Sequence, residues 1–200
     1  MEFFRNLRIK AGRSMLAKRY SKILHKPSYK GFGSIKGIGI VWDATNPEEL
    51  AVLAKFHQKM SEAGKQVRVI GLFPGKVLPD QYVGNRFMVC LKNNETDFFY
   101  RPDTIEAEAF MKEKFDLLID INPRDHFPLF YISSLSKASL KVGLAGNDPG
   151  TSPFDLMISM RNPVNVDKYL EQVLLYLEMI NPETVKKAVE NRKAPFEVEG

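Results

Sequence analysis

From Ile35 onward the apolar positions alternate between two spacings. Ile35–Trp42, Gln66–Leu72, Asn85–Lys92, Phe115–Ile121, Leu140–Gly143 and Asp155–Met160 are short runs rich in apolar and β-branched residues, the signature of strands. Asp97–Arg101 reads as an extension of the third run or a strand pairing with it. Between these runs the period lengthens to that of a helix. Asn46-Pro47-Glu48-Glu49 supplies an N-cap, a proline at the first helical position and acids in the first turn, and Leu50, Leu53, Ala54, His57 and Met60 continue to Gly64. Thr104–Lys114 and Phe127–Lys137 form two more helices, and Val166, Tyr169, Leu170, Val173, Leu174, Leu177 and Ile180 make an apolar stripe along Val166–Ile180. Asn181-Pro182-Glu183 repeats the cap signature and opens a last helix to about Arg192. Strands that are apolar throughout, alternating with helices, need cover on both faces. The expected fold is therefore α/β: a Rossmann-like three-layer sandwich with a mostly parallel sheet of five or six strands.

Residues 1–30 follow a different pattern. Phe3, Phe4, Leu7 and Ala11 share one helical face, while Leu16, Ala17, Tyr20, Ile23 and Leu24 share another. Run through Gly12 as one helix, these two faces would point in nearly opposite directions. A single membrane-lying helix with one continuous stripe is therefore disfavoured, and two short helical pieces meeting at Gly12 are expected. Lys30-Gly31-Phe32-Gly33-Ser34 reads as a hinge. The division expected is a basic helical arm over 1–30, an α/β domain over 31–192 and a frayed tail over 193–200.

Charge separates the same two parts. The 200 residues carry 29 Lys and Arg against 24 Asp and Glu, a net of +5. Residues 1–36 hold ten of the cations and only Glu2 among the acids, so the stretch carries +9 and the rest of the chain −4. Spaced cations interleaved with Phe3, Phe4, Tyr20 and Tyr29 suit a phosphate backbone with occasional base stacking. Arg5, Arg8, Lys10, Arg13, Lys18, Arg19, Lys22, Lys26 and Lys30 are the candidate nucleic-acid contacts. RNA or another polyanion is the expected partner, ahead of an anionic membrane surface, with the α/β domain as a body for a protein partner.

The loops at the carboxyl ends of strands are where open α/β sheets bind ligands. Asn122-Pro123-Arg124-Asp125-His126 joins a strand to a helix there, and Gly143–Gly150 is a glycine-rich loop. Asn122, Arg124, His126, Asn147 and Thr151 are the candidate ligand residues, although helix capping and turn chemistry explain the same residues and stand ahead. The glycines at 31, 33, 37 and 39 lie before and inside a strand, so they are no dinucleotide fingerprint. His25, His57 and His126 are far apart, and His57 falls on an apolar helix face; no metal or cofactor is expected. Cys90, the single cysteine, lies in the apolar run Phe87–Leu91 and is read as a buried, inert thiol. Phe98-Phe99-Tyr100-Arg101 could stack bases, but a sheet-edge strand packing its aromatics is the commoner arrangement. No apolar run is long enough to span a bilayer and no secretory signal is evident, so a cytoplasmic, non-catalytic binding protein is expected.

Phe115-Asp116-Leu117-Leu118-Ile119-Asp120-Ile121-Asn122, the helix Phe127–Lys137 and Leu140-Lys141-Val142-Gly143 together resemble a strand-helix-strand stretch of heptosyltransferase-like glycosyltransferases. That resemblance covers about thirty residues and implies one Rossmann-like lobe where those enzymes have two. It makes a glycosyltransferase-like enzyme, or a nucleotide or small-anion binder, the alternative reading. Over its length the chain resembles a bacterial family built as a basic arm followed by one α/β domain, a family with no established activity to carry over.

Overall fold

The computed structural model describes residues 2–146 and 152–180. Its centre is one sheet of six strands, β1 (Gly37–Asp43), β2 (Gln66–Phe73), β3 (Met88–Lys92), β4 (Leu117–Asp120), β5 (Leu140–Leu144) and β6 (Leu156–Ile158). The spatial order is β3-β2-β1-β4-β5-β6 and every neighbouring pair is parallel. The helices are α1 (Glu2–Tyr20), α2 (Glu49–Glu62), α3 (Ile105–Lys112), α4 (Phe127–Leu135) and α5 (Val166–Met179).

Successive strand residues serve opposite layers. Ile38, Ile40 and Trp42 of β1, with Leu117 and Ile119 of β4, pack with Leu53, Phe56 and Met60 of α2 and the buried stripe of α5. Val41 and Leu118 turn the other way, to Ala107 and Phe110 of α3 and to Leu129 and Ile132 of α4. Both faces of the sheet are thus covered, which is why its strands carry no polar face. The predicted three-layer α/β sandwich is present, with six strands. Gly39 serves packing: a Cβ there would lie 2.8 Å from the Phe115 ring.

Two helices open on side-chain caps that their sequences do not announce as Asn46-Pro47 does. Thr104 Oγ1 accepts from the Ala107 N–H at 3.1 Å, and Asn165 Oδ1 from the Lys168 N–H at 2.9 Å. At α2 the Asn46 side chain accepts from the Glu48 N–H at 3.1 Å, and regular helix begins at Glu49. Glu49 does more than face the helix dipole: its Oε2 accepts from Trp42 Nε1 at 2.7 Å, tying the helix start to β1.

Two expectations are overturned. Asp97–Arg101 is a turn beside a single bridge between Thr96 and Pro102, without a strand. Its geometry is set by Asp97, whose Oδ1 accepts from the N–H groups of Phe99 at 2.8 Å and Arg101 at 2.9 Å. A carboxylate satisfying the turn internally outweighs the strand preference of the aromatics. Secondly, α1 runs unbroken through Gly12. Glycine is there for close approach: a Cβ would lie 2.5 Å from Phe99 O and 2.8 Å from Phe127 Cε1. The two apolar faces do point in opposite directions, and this is how the helix is used. Leu16 is buried in the α3/α4 layer with Ile9 packed against it, whereas Phe3, Phe4 and Leu7 face solvent.

The segment after α1 is pinned to the domain. His25 Nε2 meets Asp155 Oδ2 at 2.9 Å, Lys30 Nζ meets Asp116 Oδ1 at 2.6 Å, and the Ser28 N–H donates to Ser139 O at 2.9 Å. Lys65 Nζ donates to both Phe32 O and Ile35 O at 2.8 Å. The helix expected over 181–192 and the tail over 193–200 lie outside the described residues.

Candidate functional site

The strand order reverses between β1 and β4, and in such sheets ligands sit in the crevice outside the strand ends at that point. Each strand ends there on an aspartate. Asp43 closes β1 with its side chain only 4% exposed and both oxygens engaged. Oδ1 accepts from Thr45 Oγ1 at 2.5 Å and from the Thr45 N–H at 3.1 Å. Oδ2 accepts from Arg124 Nε at 2.9 Å and Nη2 at 2.8 Å, and His126 Nε2 lies 3.3 Å away. Burial alone would raise the Asp43 pKa, but the hydrogen bonds of His126 and Thr45 and the charges of His126 and Arg124 outweigh it and hold it at about 2. Asp43 is therefore a fixed anion that aims a guanidinium and an imidazole across the crevice.

Asp120, closing β4, has the opposite character. It is fully buried, with Oδ2 accepting from Ser133 Oγ at 2.5 Å and Oδ1 from the Asn122 N–H at 2.9 Å. Burial raises its pKa to about 7 against the lowering effect of those two bonds. Two carboxyl groups at adjacent strand ends are thus split into a permanent anion and a group that titrates near neutrality. Asp120, Asn122, Arg124, His126, Ser152 and Phe154 are among the residues around a cavity of about 400 Å³ beside them. The α4 helix opens on this crevice, and its N-cap residue, His126, makes no side-chain cap bond.

His126 also borders a second cavity, of about 270 Å³, whose other wall is α1. Arg5, Asn6 and Arg13 face Asn93, Tyr100 and Asp125 across it. Arg13 pairs with Asp125 and lies over the Phe127 ring, 5.3 Å from its centroid. Arg8 Nε donates to Phe98 O at 2.6 Å, with the guanidinium 4.0 Å from the centre of the Phe98 ring. Tyr100 has φ +60°, a left-handed conformation uncommon for a bulky residue, and lies under both Arg8 and Arg5. The aromatic string is therefore an arginine platform for α1.

The structure brings Asn122, Arg124 and His126 to one cavity; Asn147 and Thr151 lie outside the described residues. Of the nine candidate nucleic-acid contacts, Arg5, Arg8, Arg13, Arg19 and Lys30 are engaged with the domain, Arg19 through Tyr131 Oη at 3.0 Å. Lys10, Lys18, Lys22 and Lys26 are exposed. Asp43, the hub, is not among the candidate ligand residues of the sequence. An aspartate ending a fully apolar strand was the available signal. The sequence carries no signal for the α1 wall, because Arg13 and Asp125 are 112 positions apart.

His57 stacks on Phe87 with ring centroids 4.3 Å apart, a packed histidine at the core edge. Burial raises the Cys90 thiol pKa to about 12. Among the described residues no group of three or more His, Cys, Asp or Glu is placed to hold a metal ion. Nor is any helix among them long and apolar enough to cross a membrane.

No curated protein and no solved structure matches the chain. The likeness of Phe115–Gly143 to heptosyltransferase-like enzymes finds no support in these comparisons. One family does match, over residues 9–180, a span that runs from within α1 to the end of α5 and takes in the cavity beside Asp120 and all of the second but Arg5 and Asn6. The chain belongs to this family of unknown function, DUF6913.

Proposed function

We propose that the protein binds a small anionic molecule, carrying phosphate or carboxylate, in the crevice between β1 and β4. The observation that carries this reading is the Asp43–Arg124–His126 constellation beside the 400 Å³ cavity. Asp43 Oδ2 takes Nε and Nη2 of Arg124, whose side chain remains 56% exposed and borders the cavity. His126 is oriented through Nε2, and its Nδ1 forms no hydrogen bond among the described residues. A preorganised guanidinium beside an imidazole at a strand-end crevice is what an anionic ligand requires. The polyanion reading of residues 1–30 loses force because most of those cations already serve the domain. No group in the crevice is assigned a reaction.

Thermal shift and calorimetry with nucleotides, nucleotide sugars and sugar phosphates test the proposal; nucleotide sugars belong in the set because of the glycosyltransferase alternative. At least one should stabilise the protein, and Arg124→Ala/His126→Ala should remove the effect. Stabilisation retained by that variant would move the ligand elsewhere, and none from any probe would leave the capping reading of these residues standing.

A further inference from the structure

We propose that the outward face of α1 docks on an anionic lipid bilayer, lying along its surface. The inward face of this helix is already spent, through Ile9, Gly12 and Leu16, on the α3/α4 layer. The opposite face carries Phe3, Phe4, Leu7 and Met15, and Ile23 and Leu24 follow just beyond it. Phe3 is 74% exposed, Phe4 69%, Leu7 56% and Leu24 95%, and none of them belongs to either core cluster. Nearly half of the large exposed apolar side chains among the described residues lie in these first 24 positions. Core packing does not account for them.

Charge selects the occupant. The arginines of α1 turn toward aromatic rings and carbonyls of the domain, so the cations left beside the apolar face are Lys10, Lys18, Lys22 and Lys26. Apolar side chains that insert at the acyl boundary, flanked by lysines whose long stems let the ammonium groups reach headgroup phosphates, form the pattern of an interfacial helix. A second copy of the chain, paired face to face, would set the same lysines against each other. RNA would meet the same four lysines but leave the six apolar side chains beside them uncovered. The unbroken helix matters here: a break at Gly12 would divide the face.

The test is co-sedimentation of the full chain with phosphatidylcholine vesicles and with vesicles that also contain phosphatidylglycerol, at two salt concentrations. Binding should require the anionic lipid and weaken with salt. Phe3→Ser/Phe4→Ser/Leu7→Ser should reduce it about tenfold or more, with the melting temperature unchanged because these side chains lie outside the core. Lys10→Glu/Lys18→Glu/Lys22→Glu should abolish it. Wild-type protein left in the supernatant, or equal binding by the serine variant, would overturn the proposal. RNA binding that is lost in the glutamate variant but kept in the serine variant would assign the face to nucleic acid instead. Sedimentation velocity showing a dimer that the serine variant dissolves would assign it to a second copy. The outcome is independent of the crevice, whose Arg124 and His126 none of these variants touches.

Discussion

The ring of Phe127 lies against the backbone of Gly12, leaving no room for a side chain between α1 and the start of α4. Gly12→Ala therefore sets two effects against each other. Alanine in place of glycine favours a helix interior by about 1 kcal/mol. A Cβ placed 2.5 Å from a backbone oxygen and 2.8 Å from an aromatic carbon costs roughly 1–3 kcal/mol, and the oxygen cannot rotate away. The clash should win. The variant should melt lower than wild type and be cut faster by protease between α1 and Lys30; a rise in melting temperature would mean that propensity dominates.

Asp43→Asn should destabilise at neutral pH. The folded carboxyl titrates at about 2 against 3.8 in the unfolded chain, so its contribution is present above pH 4 and disappears as pH falls through the folded value. The loss should be roughly 2 kcal/mol at pH 7 and vanish near pH 2, as urea melts at several pH values would show. A difference independent of pH would assign the effect to packing.

Asp120→Asn should do the reverse. An acid whose folded pKa is raised from 3.8 to about 7 binds more protons folded than unfolded between those values, so wild-type stability declines across that window. The amide retains an acceptor for the Asn122 N–H and offers a donor to Ser133. The variant should match wild type near pH 4 and exceed it at pH 8, by up to about 1.4 kcal/mol for every tenfold change in proton affinity on folding. Equal stabilities at pH 8 would show that the carboxylate is accommodated without penalty.

Lys141→Met should also stabilise. Lys141 is 1% exposed on β5 and its Nζ donates to Ser134 O at 2.9 Å. Burial lowers its pKa to about 8, the nearby Asp155 charge opposing, so the folded state binds fewer protons than the unfolded one between pH 8 and 10.5. Wild-type stability should climb across that window, and the advantage of methionine, of order 1–3 kcal/mol at pH 7, should shrink there. A destabilised variant at pH 7 would show that the ammonium is needed where it lies.

What was legible in the sequence was local. The apolar runs of β1, β2 and β4 and the stripe of α5 depend on neighbours a few positions away, and each occurs as read. Gly12 and Phe98–Arg101 mislead because identical residue types serve opposite ends. Glycine weakens a helix and also admits a neighbour; aromatics favour strands and also floor an arginine platform. Arg124 and His126 are legible because a strand-loop-helix passage places them at a strand end. Their partner Asp43 lies 81 positions from Arg124 and the α1 wall lies over 100 from Asp125, distances at which periodicity carries no information.

Those same distances set an order of assembly. α1 is synthesised well before the residues that anchor it, Phe98, Asp125, Tyr131 and, through His25, Asp155. Until most of the chain has been synthesised, the helix has nothing to close on, and Leu16 is as bare as Phe3. A segment made before its anchors settles after them, and a nascent chain carries this cationic, exposed helix ahead of the domain that will later cover its inward face.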